Sequence, residues 1–285
     1  MITGVSIESG AYGLRAVLTS AWSEAIGRYL QEKAVAEIEL NHAKGWRGDT
    51  LAFLSAFPRL RSLKIIDLTI SSVEPIHVLR ELRALEVITY CKTELQFAAF
   101  PYLEECALEW RPKATSLFDC GTLKKLFVNR YSGKDVEPFG RLKRLESLAI
   151  LNAPVETLHG LLKLSDLRSL RLGNLKRLTS LAGIEGLAAL EELEIHTCRA
   201  VTSIDEVSHL LRLRKLHLNN DGAIASLKPL ENFDGLESVL FYESTNIVDG
   251  DLAPLMRQKN LARVSFQNRR HYSHQREDFG VAYSN

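Results

Sequence analysis

The chain has 285 residues, 46% of them apolar and 25% charged, with 36 basic side chains against 35 acidic ones. This is ordinary globular composition, which excludes a disordered chain. The near-zero balance disfavours nucleic acid as the main ligand, because phosphate binders carry a basic excess or stripe, and no stretch approaches the ~20 apolar residues of a membrane-spanning helix.

In chain order, the first segment, 1–34, reads as an N-terminal cap. "YGLRAVL", from Tyr12, is a candidate strand. In "SAWSEAIGRYLQEK", Trp22, Ile26, Tyr29 and Leu30 recur at helical spacing, with Ser20 or Ser23 available as N-cap. Such an apolar stripe suits a helix that covers the end of whatever follows. "MITGVSIESGAYGLRAVL" has no basic region ahead of an apolar run, so no signal peptide is read there. Cys91, Cys106, Cys120 and Cys198 are scattered without a C-x-x-C pair and read as free thiols of a reducing compartment. The expectation is a cytoplasmic protein.

The segment 35–267 is repetitive. "LRSLRLGNL" from Leu167, "LEELEIHTC" from Leu190 and "LRKLHLNND" from Leu213 share the pattern L-x-x-L-x-L and start 23 residues apart. The frame begins again at Leu60, Leu82, Leu103, Leu123, Leu145, Leu236 and Leu261, with a weaker copy at Val35, which makes eleven frames in steps of 20 to 25 residues. Alternate residues of a strand share a face. Positions 4 and 6 of each frame therefore point one way, and positions 3, 5 and 7 the other. One unit cannot bury its own leucines. Stacked units can, as a parallel sheet curved along one side with connecting segments on the other. Strands ~4.8 Å apart then build a concave face of roughly 50 Å.

These frames resemble the leucine-rich-repeat family over roughly residues 35–268, and their short period is similar to the internalin-like bacterial class. "LTSLAGIEGLAALEEL" and "IASLKPLENFDGLESV" fit that class, with apolar positions three apart behind each strand. The resemblance implies an α/β leucine-rich-repeat solenoid, its parallel sheet on the concave face and short helices or irregular turns on the convex face. It also implies Asn or Cys at repeat position 9, bonding the turn backbone. That position holds Cys198 but otherwise Leu68, Tyr90, Arg111, Tyr131, Ala153, Leu175, Asp221 or Ser244, so the buried asparagine ladder is largely missing. The whole chain is read as one structural domain: a cap at 1–34, about eleven repeats over 35–267, and a second cap at 268–285.

Register assigns the concave side chains. Opposite charges fall on adjacent strands, Arg171 beside Glu194 and Glu192 beside Lys215, an arrangement that a solvated face adopts to avoid like-charge repulsion. Ile66, Ile88, Phe127, Ala149, Leu151 and Leu240 place apolar groups where water is expected, with Trp110 and Tyr131 at neighbouring turns. A contiguous exposed apolar patch marks a binding surface, and aromatic anchors dominate such interfaces. The candidate partner-binding residues are Trp110, Phe127, Tyr131, Leu151, Arg171, Glu194, His196, His217 and Tyr242. An inward turn of Ile66 and Ile88 through a local bulge is the bland alternative.

The C-terminal stretch "NRRHYSHQREDFG", 268–280, starts where the last frame ends. An open end needs a polar cap, and Glu243, Asp249 and Asp251 are in reach of Arg269, Arg270 and His271. Arg269, Arg270, His271 and Tyr272 form a secondary candidate patch, with Tyr272 and Phe279 placed to lie over the core end. "DGD" at 249–251 lacks calcium-loop spacing and reads as an extra turn. A zinc site on His271 and His274 needs two more ligands, and no phosphate loop, G-x-S-x-G or H-E-x-x-H is present. The reading is a non-catalytic protein-binding solenoid, monomeric alone, without metal, cofactor, nucleic acid or membrane. Its most concrete form is a bacterial cytosolic inhibitor or immunity-type protein that clasps one dedicated partner. The alternatives are an adaptor or substrate-recognition subunit, a metal-dependent enzyme using His271 and His274, and a secreted adhesion protein.

Overall fold

A computed structural model describes residues 2–280; residue 1 of the first cap segment and residues 281–285 of the last lie outside the described residues. The chain divides into two compact units, 1–128 and 129–285.

In the first unit, β1 (Val5–Ser9) and β2 (Leu14–Leu18) form an antiparallel hairpin. The helix α1 (Glu24–Glu32) follows, and the Ser23 hydroxyl caps it by accepting from Ile26 N at 3.3 Å. β2 pairs in parallel with β3 (Glu37–Asn41), and β4 (Ser62–Ile66), β5 (Ala84–Ile88) and β6 (Glu105–Glu109) each add in parallel to the strand before. β7 (Lys125–Asn129) ends at the unit boundary. The hairpin is pinned to β3 by the buried Glu37 carboxylate, which accepts from Tyr12 N at 2.6 Å and Arg15 Nε at 2.8 Å. A side chain at Gly10 would place its Cβ 2.3 Å from that carboxyl group, so a larger residue there would have to displace the carboxylate from its bonds. Ile26 and Leu30 are buried as the helical stripe requires, and Trp22 stacks on Phe53 of the first repeat at 3.9 Å. β2 and α1 lie where the apolar spacing places them, whereas β1, a short strand of partly exposed residues, carries no such signal.

The second unit runs through β8 (Ser147–Leu151), β9 (Ser169–Gly173), β10 (Glu192–His196), β11 (Lys215–Asn219), β12 (Ala223–Ile224), β13 (Ser238–Tyr242), β14 (Asn246–Ile247), the short helix α2 (Ala253–Met256) and β15 (Arg263–Phe266). β8, β9, β10, β11, β13 and β15 pair in parallel in that order, while β12 and β14 make a separate two-stranded sheet.

Each of the eleven frames gives a strand that begins at repeat position 3. Like positions pair: Leu63 with Leu85 in the first unit, and Leu170 with Leu193 and Leu193 with Leu216 in the second. A slip of one residue would turn every position-4 and position-6 leucine to water, so burial fixes this register. Behind the strands, Val73, Ile76, Leu79 and Leu82 are fully buried at a spacing of three, as are Leu175, Leu178, Leu181, Ile184, Leu187 and Leu190. A 3₁₀ turn eclipses residues i and i+3, so a period of three lays one continuous stripe on the core. The back segments are accordingly 3₁₀ turns such as Glu74–Val78, His159–Lys163 and Asp205–His209.

The turn after the strand takes two forms. In the first unit Asp67 and Thr89, at repeat position 8, are buried and bond the backbone two residues on: Thr69 N to Asp67 Oδ1 at 2.8 Å, and Cys91 N to Thr89 Oγ1 at 3.2 Å. In the second unit position 8 lies in the left-handed region, with φ from 53° to 59° at Arg130, Asn152, Asn174, Thr197, Asn220 and Glu243. Position 8 then turns outward and position 9 inward, which buries Tyr131, Ala153, Leu175, Cys198 and Asp221. An asparagine ladder does exist here, but on the outside: Asn152 Nδ2 donates to Asn129 Oδ1 at 2.7 Å, and Asn174 Nδ2 to Asn152 Oδ1 at 2.6 Å.

Candidate partner-binding face

Positions 3, 5 and 7 line the open face of the sheet, and in each unit ion pairs join neighbouring strands. In the first unit Lys64 meets Glu86 at 2.9 Å and Lys125 meets Glu105 at 2.8 Å. In the second, Arg171 meets Glu194 at 2.5 Å and Lys215 pairs with Glu192, the two pairs that the repeat register placed together. Exposed pairs of this kind contribute at most about 1 kcal/mol each. They set opposite charges side by side on neighbouring strands.

The histidines of the second unit differ in setting. His196 is exposed at the end of β10, opposite Asn219, whereas His217 is half-buried beside Glu194, with Nε2 3.2 Å from the Ser238 hydroxyl. Burial lowers the His217 pKa, and Glu194 only partly restores it. The shift favours the neutral imidazole, a polar contact within the face. Tyr242 closes β13 with an exposed ring.

The apolar candidates fare unevenly. Phe127 in the first unit and Leu151 in the second are half-buried. Trp110 is half-buried too, its ring tilted on Phe118 at 5.7 Å. Tyr131 is a correction: it is buried, not an exposed anchor. The left-handed backbone at Arg130 turns it inward, edge-on to Phe139 at 5.1 Å, and burial pushes its hydroxyl pKa up to about 12. Leu240 is a second correction. It is buried, with its register neighbour His217 reaching across to Ser238.

Two residues at repeat position 9 stand on the surface. Because Asp67 and Thr89 point inward, the next residues are driven out, and Leu68 is 52% and Tyr90 53% exposed. They extend the column of Ile66 and Ile88, which are direct register partners and half-exposed, without a bulge to bury them. The pairing even continues past the strand, from Asp67 N to Ile88 O at 3.2 Å. Ile66, Leu68, Ile88 and Tyr90 form the apolar patch of the first unit. The signal for it in the sequence was polar residues at position 8 followed by bulky apolar ones at position 9.

At the C-terminus the described part of 268–285 lies against the last strand. Phe241 and Phe266 stack at 4.8 Å, Tyr272 packs edge-on against both, and Phe279 meets Phe266 at 5.7 Å. Tyr272 is therefore buried, which removes it from the candidate surface patch; its hydroxyl accepts from Ile247 N at 3.0 Å. Arg269 and His271 do reach back to the preceding repeat, but to carbonyl oxygens rather than to carboxylates. Arg269 Nη2 donates to Glu243 O and Thr245 O at 3.3 and 3.2 Å, and His271 Nε2 donates to Ile247 O at 2.9 Å. Arg270 stays exposed. Asp249 and Asp251 accept from the amides of Asp251 and Ala253, as turn and cap. His274 Nδ1 bonds the Ser273 hydroxyl at 2.9 Å, so the two histidines face different partners. Among the described residues no group of three or more His, Cys, Asp or Glu side chains is arranged to hold a metal ion. None of the described helices is long and apolar enough to cross a membrane.

No family model matches the chain, and no curated protein does. Among solved structures it is similar to an internalin, InlF, from Listeria monocytogenes, at 21% identity over 90% of this chain and 83% of that one, with a TM-score of 0.59. Internalin C2 from the same organism aligns at 18% identity over 80% of each chain, with a TM-score of 0.39. The functional domain of InlJ, also from Listeria monocytogenes, aligns at 14% identity over 88% of this chain and 69% of that one, with a TM-score of 0.48. The fold is the leucine-rich-repeat solenoid, as the match to InlF shows.

Proposed function

We propose that this solenoid is a non-catalytic protein-binding module that holds its partner on the concave face of the sheet. The observation that carries this reading is the patch of Ile66, Leu68, Ile88 and Tyr90, in which the Leu68 and Tyr90 side chains stand more than half exposed. Its area is the kind that a partner's anchors cover. Within the second unit, Arg171, Glu194, His196, His217 and Tyr242 offer paired charges and polar tips of their own, groups that read partner charge. Phe127, Leu151 and Trp110 add half-exposed apolar area, and Arg269, Arg270 and His271 a secondary contact.

In its most concrete form the protein is a monomeric inhibitor or immunity-type protein of the bacterial cytosol, clasping one dedicated partner. The four cysteines support a reducing home, since all are free thiols and three are buried. The test is affinity capture from the native host with two baits, the wild type and a Leu68→Ser/Tyr90→Ala variant. The expected result is one protein captured stoichiometrically by the wild type and lost from the variant, with the melting temperature of the bait unchanged. Equal capture by both baits would remove the patch from the interface.

A further inference from the structure

Cys91 stands apart from the other three thiols. It lies in the turn after β5, half-buried and reachable from solvent, whereas Cys106, Cys120 and Cys198 are buried. Its sulfur accepts two hydrogen bonds, from the Thr89 hydroxyl and from Arg111 Nη1, both at 3.1 Å. A neutral thiol is a weak acceptor and satisfies neither donor well; a thiolate satisfies both.

The second observation is Arg111 itself. It is 3% exposed, and Nε and Nη2 are buried with no hydrogen-bond partner. A buried guanidinium is costly unless an anion compensates it, and the Cys91 sulfur, which accepts from Arg111 Nη1, is a group that can become that anion.

We propose that Cys91 is a redox modification site, a thiolate held by Arg111 and Thr89 that a hydroperoxide oxidises to the sulfenic acid. The Cys91 sulfur attacks the terminal oxygen of the peroxide, and the S–O bond forms as the O–O bond breaks. Sulfur gives up two electrons. The second peroxide oxygen leaves as hydroxide, or as alkoxide from an organic peroxide, and takes a proton from water. The sulfenic oxygen is a better acceptor than a neutral thiol sulfur, so the donors of Arg111 and Thr89 suit the product as well as the thiolate. The electrostatics agree. Burial raises the Cys91 pKa, but the Thr89 hydroxyl, the Arg111 charge and the Thr93 backbone outweigh it and bring it below the ordinary thiol value. Burial dominates at Cys106, Cys120 and Cys198, whose pKa values are raised.

The experiment uses the full chain, without its partner. Hydrogen peroxide is added near stoichiometry with dimedone as the sulfenic-acid trap, and peptides are mapped by mass. The expected result is one adduct, at Cys91, absent from Cys91→Ser. In parallel, the rate of Cys91 alkylation by iodoacetamide is followed against pH. Its midpoint is expected below that of an ordinary thiol in the wild type and higher in Arg111→Met and Thr89→Val, with alkylation at pH 7 about tenfold slower in the arginine variant. Arg111→Lys restores part of the rate by returning the charge. Should Arg111→Met fail to fold, the wild-type profile and Thr89→Val decide. Trapping elsewhere, or a Cys91 midpoint at the ordinary thiol value, would overturn the proposal.

Discussion

Asp221 Oδ1 accepts the backbone N–H of Cys198 at 2.7 Å, so that one repeat closes the turn of the one before it. Asp221 N donates in turn to Thr245 Oγ1 at 3.0 Å, and Thr245 Oγ1 donates to Leu218 O at 3.1 Å. The buried turn ladder thus survives locally, with Asp and Thr in place of Asn.

The carboxylate is an awkward member of that ladder. Asp221 is fully buried and its Oδ2 has no hydrogen-bond partner, so burial raises its pKa to about 6, against the smaller lowering effects of the Cys198 N–H and His196. Its folded pKa lies above the unfolded value of ~3.9. The unfolded chain therefore loses its proton first, and stability falls as pH rises from about 4 to about 6, by roughly 3 kcal/mol in all. Asp221→Asn keeps the Oδ1 acceptor and removes the charge. It should raise the melting temperature at pH 7 and make no difference near pH 4. A destabilised variant at pH 7 would show that the charge is compensated.

Thr197 occupies the left-handed region at φ 58°, a conformation that a β-branched residue adopts only under strain. Its hydroxyl accepts from Asn220 Nδ2 at 3.2 Å, as an asparagine amide oxygen would. Thr197→Asn should therefore stabilise the protein by about 1 kcal/mol, and Thr197→Gly should relieve the same strain at the expense of the bond. Chemical denaturation checks both. If each lowers the midpoint, the threonine methyl group has a packing role that outweighs its backbone strain.

Tyr272 joins the C-terminal segment to the solenoid through the Ile247 N–H. Tyr272→Phe keeps the aromatic packing and leaves that donor buried without an acceptor, a loss of about 1–3 kcal/mol. Removing 268–285 uncovers Phe266 as well and should cause greater loss or aggregation, with amide exchange rising first in the last two repeats. At Gly250, a Cβ would lie 2.2 Å from His271 O, so Gly250→Ala should also loosen this segment. His271→Ala with His274→Ala should cost less than the truncation, and the purified wild type should carry no stoichiometric zinc. Zinc lost on replacing either histidine would establish the metal-site alternative.

Cys106 and Cys198 should resist a thiol reagent until the chain unfolds. Both are buried, and burial pushes the Cys198 pKa up to about 12 and that of Cys106 higher still. Native and denatured samples labelled side by side give the contrast. A native disulfide at either would remove the argument for a reducing compartment.

The repeat was legible because it is a one-dimensional signal. Leucines at positions 4 and 6 have to share a face, apolar residues three apart have to share a 3₁₀ stripe, and stacking like units in zero register is the arrangement that buries both. Strand starts, inward residues and the Arg171–Glu194 and Glu192–Lys215 pairs follow from that frame, and so does the stripe of α1. The turn was not legible. After the strand, the chain either points position 8 inward, as at Asp67 and Thr89, or takes a left-handed residue there, as at Asn152 and Thr197. Both are locally allowed, and the choice rests on contacts with neighbouring repeats some twenty residues away. That one-residue difference buried Tyr131 and Asp221, exposed Leu68 and Tyr90, and set Thr89 and Arg111 against the sulfur of Cys91. Sequence periodicity determined which face each strand presents; tertiary packing decided which side chains stand on it.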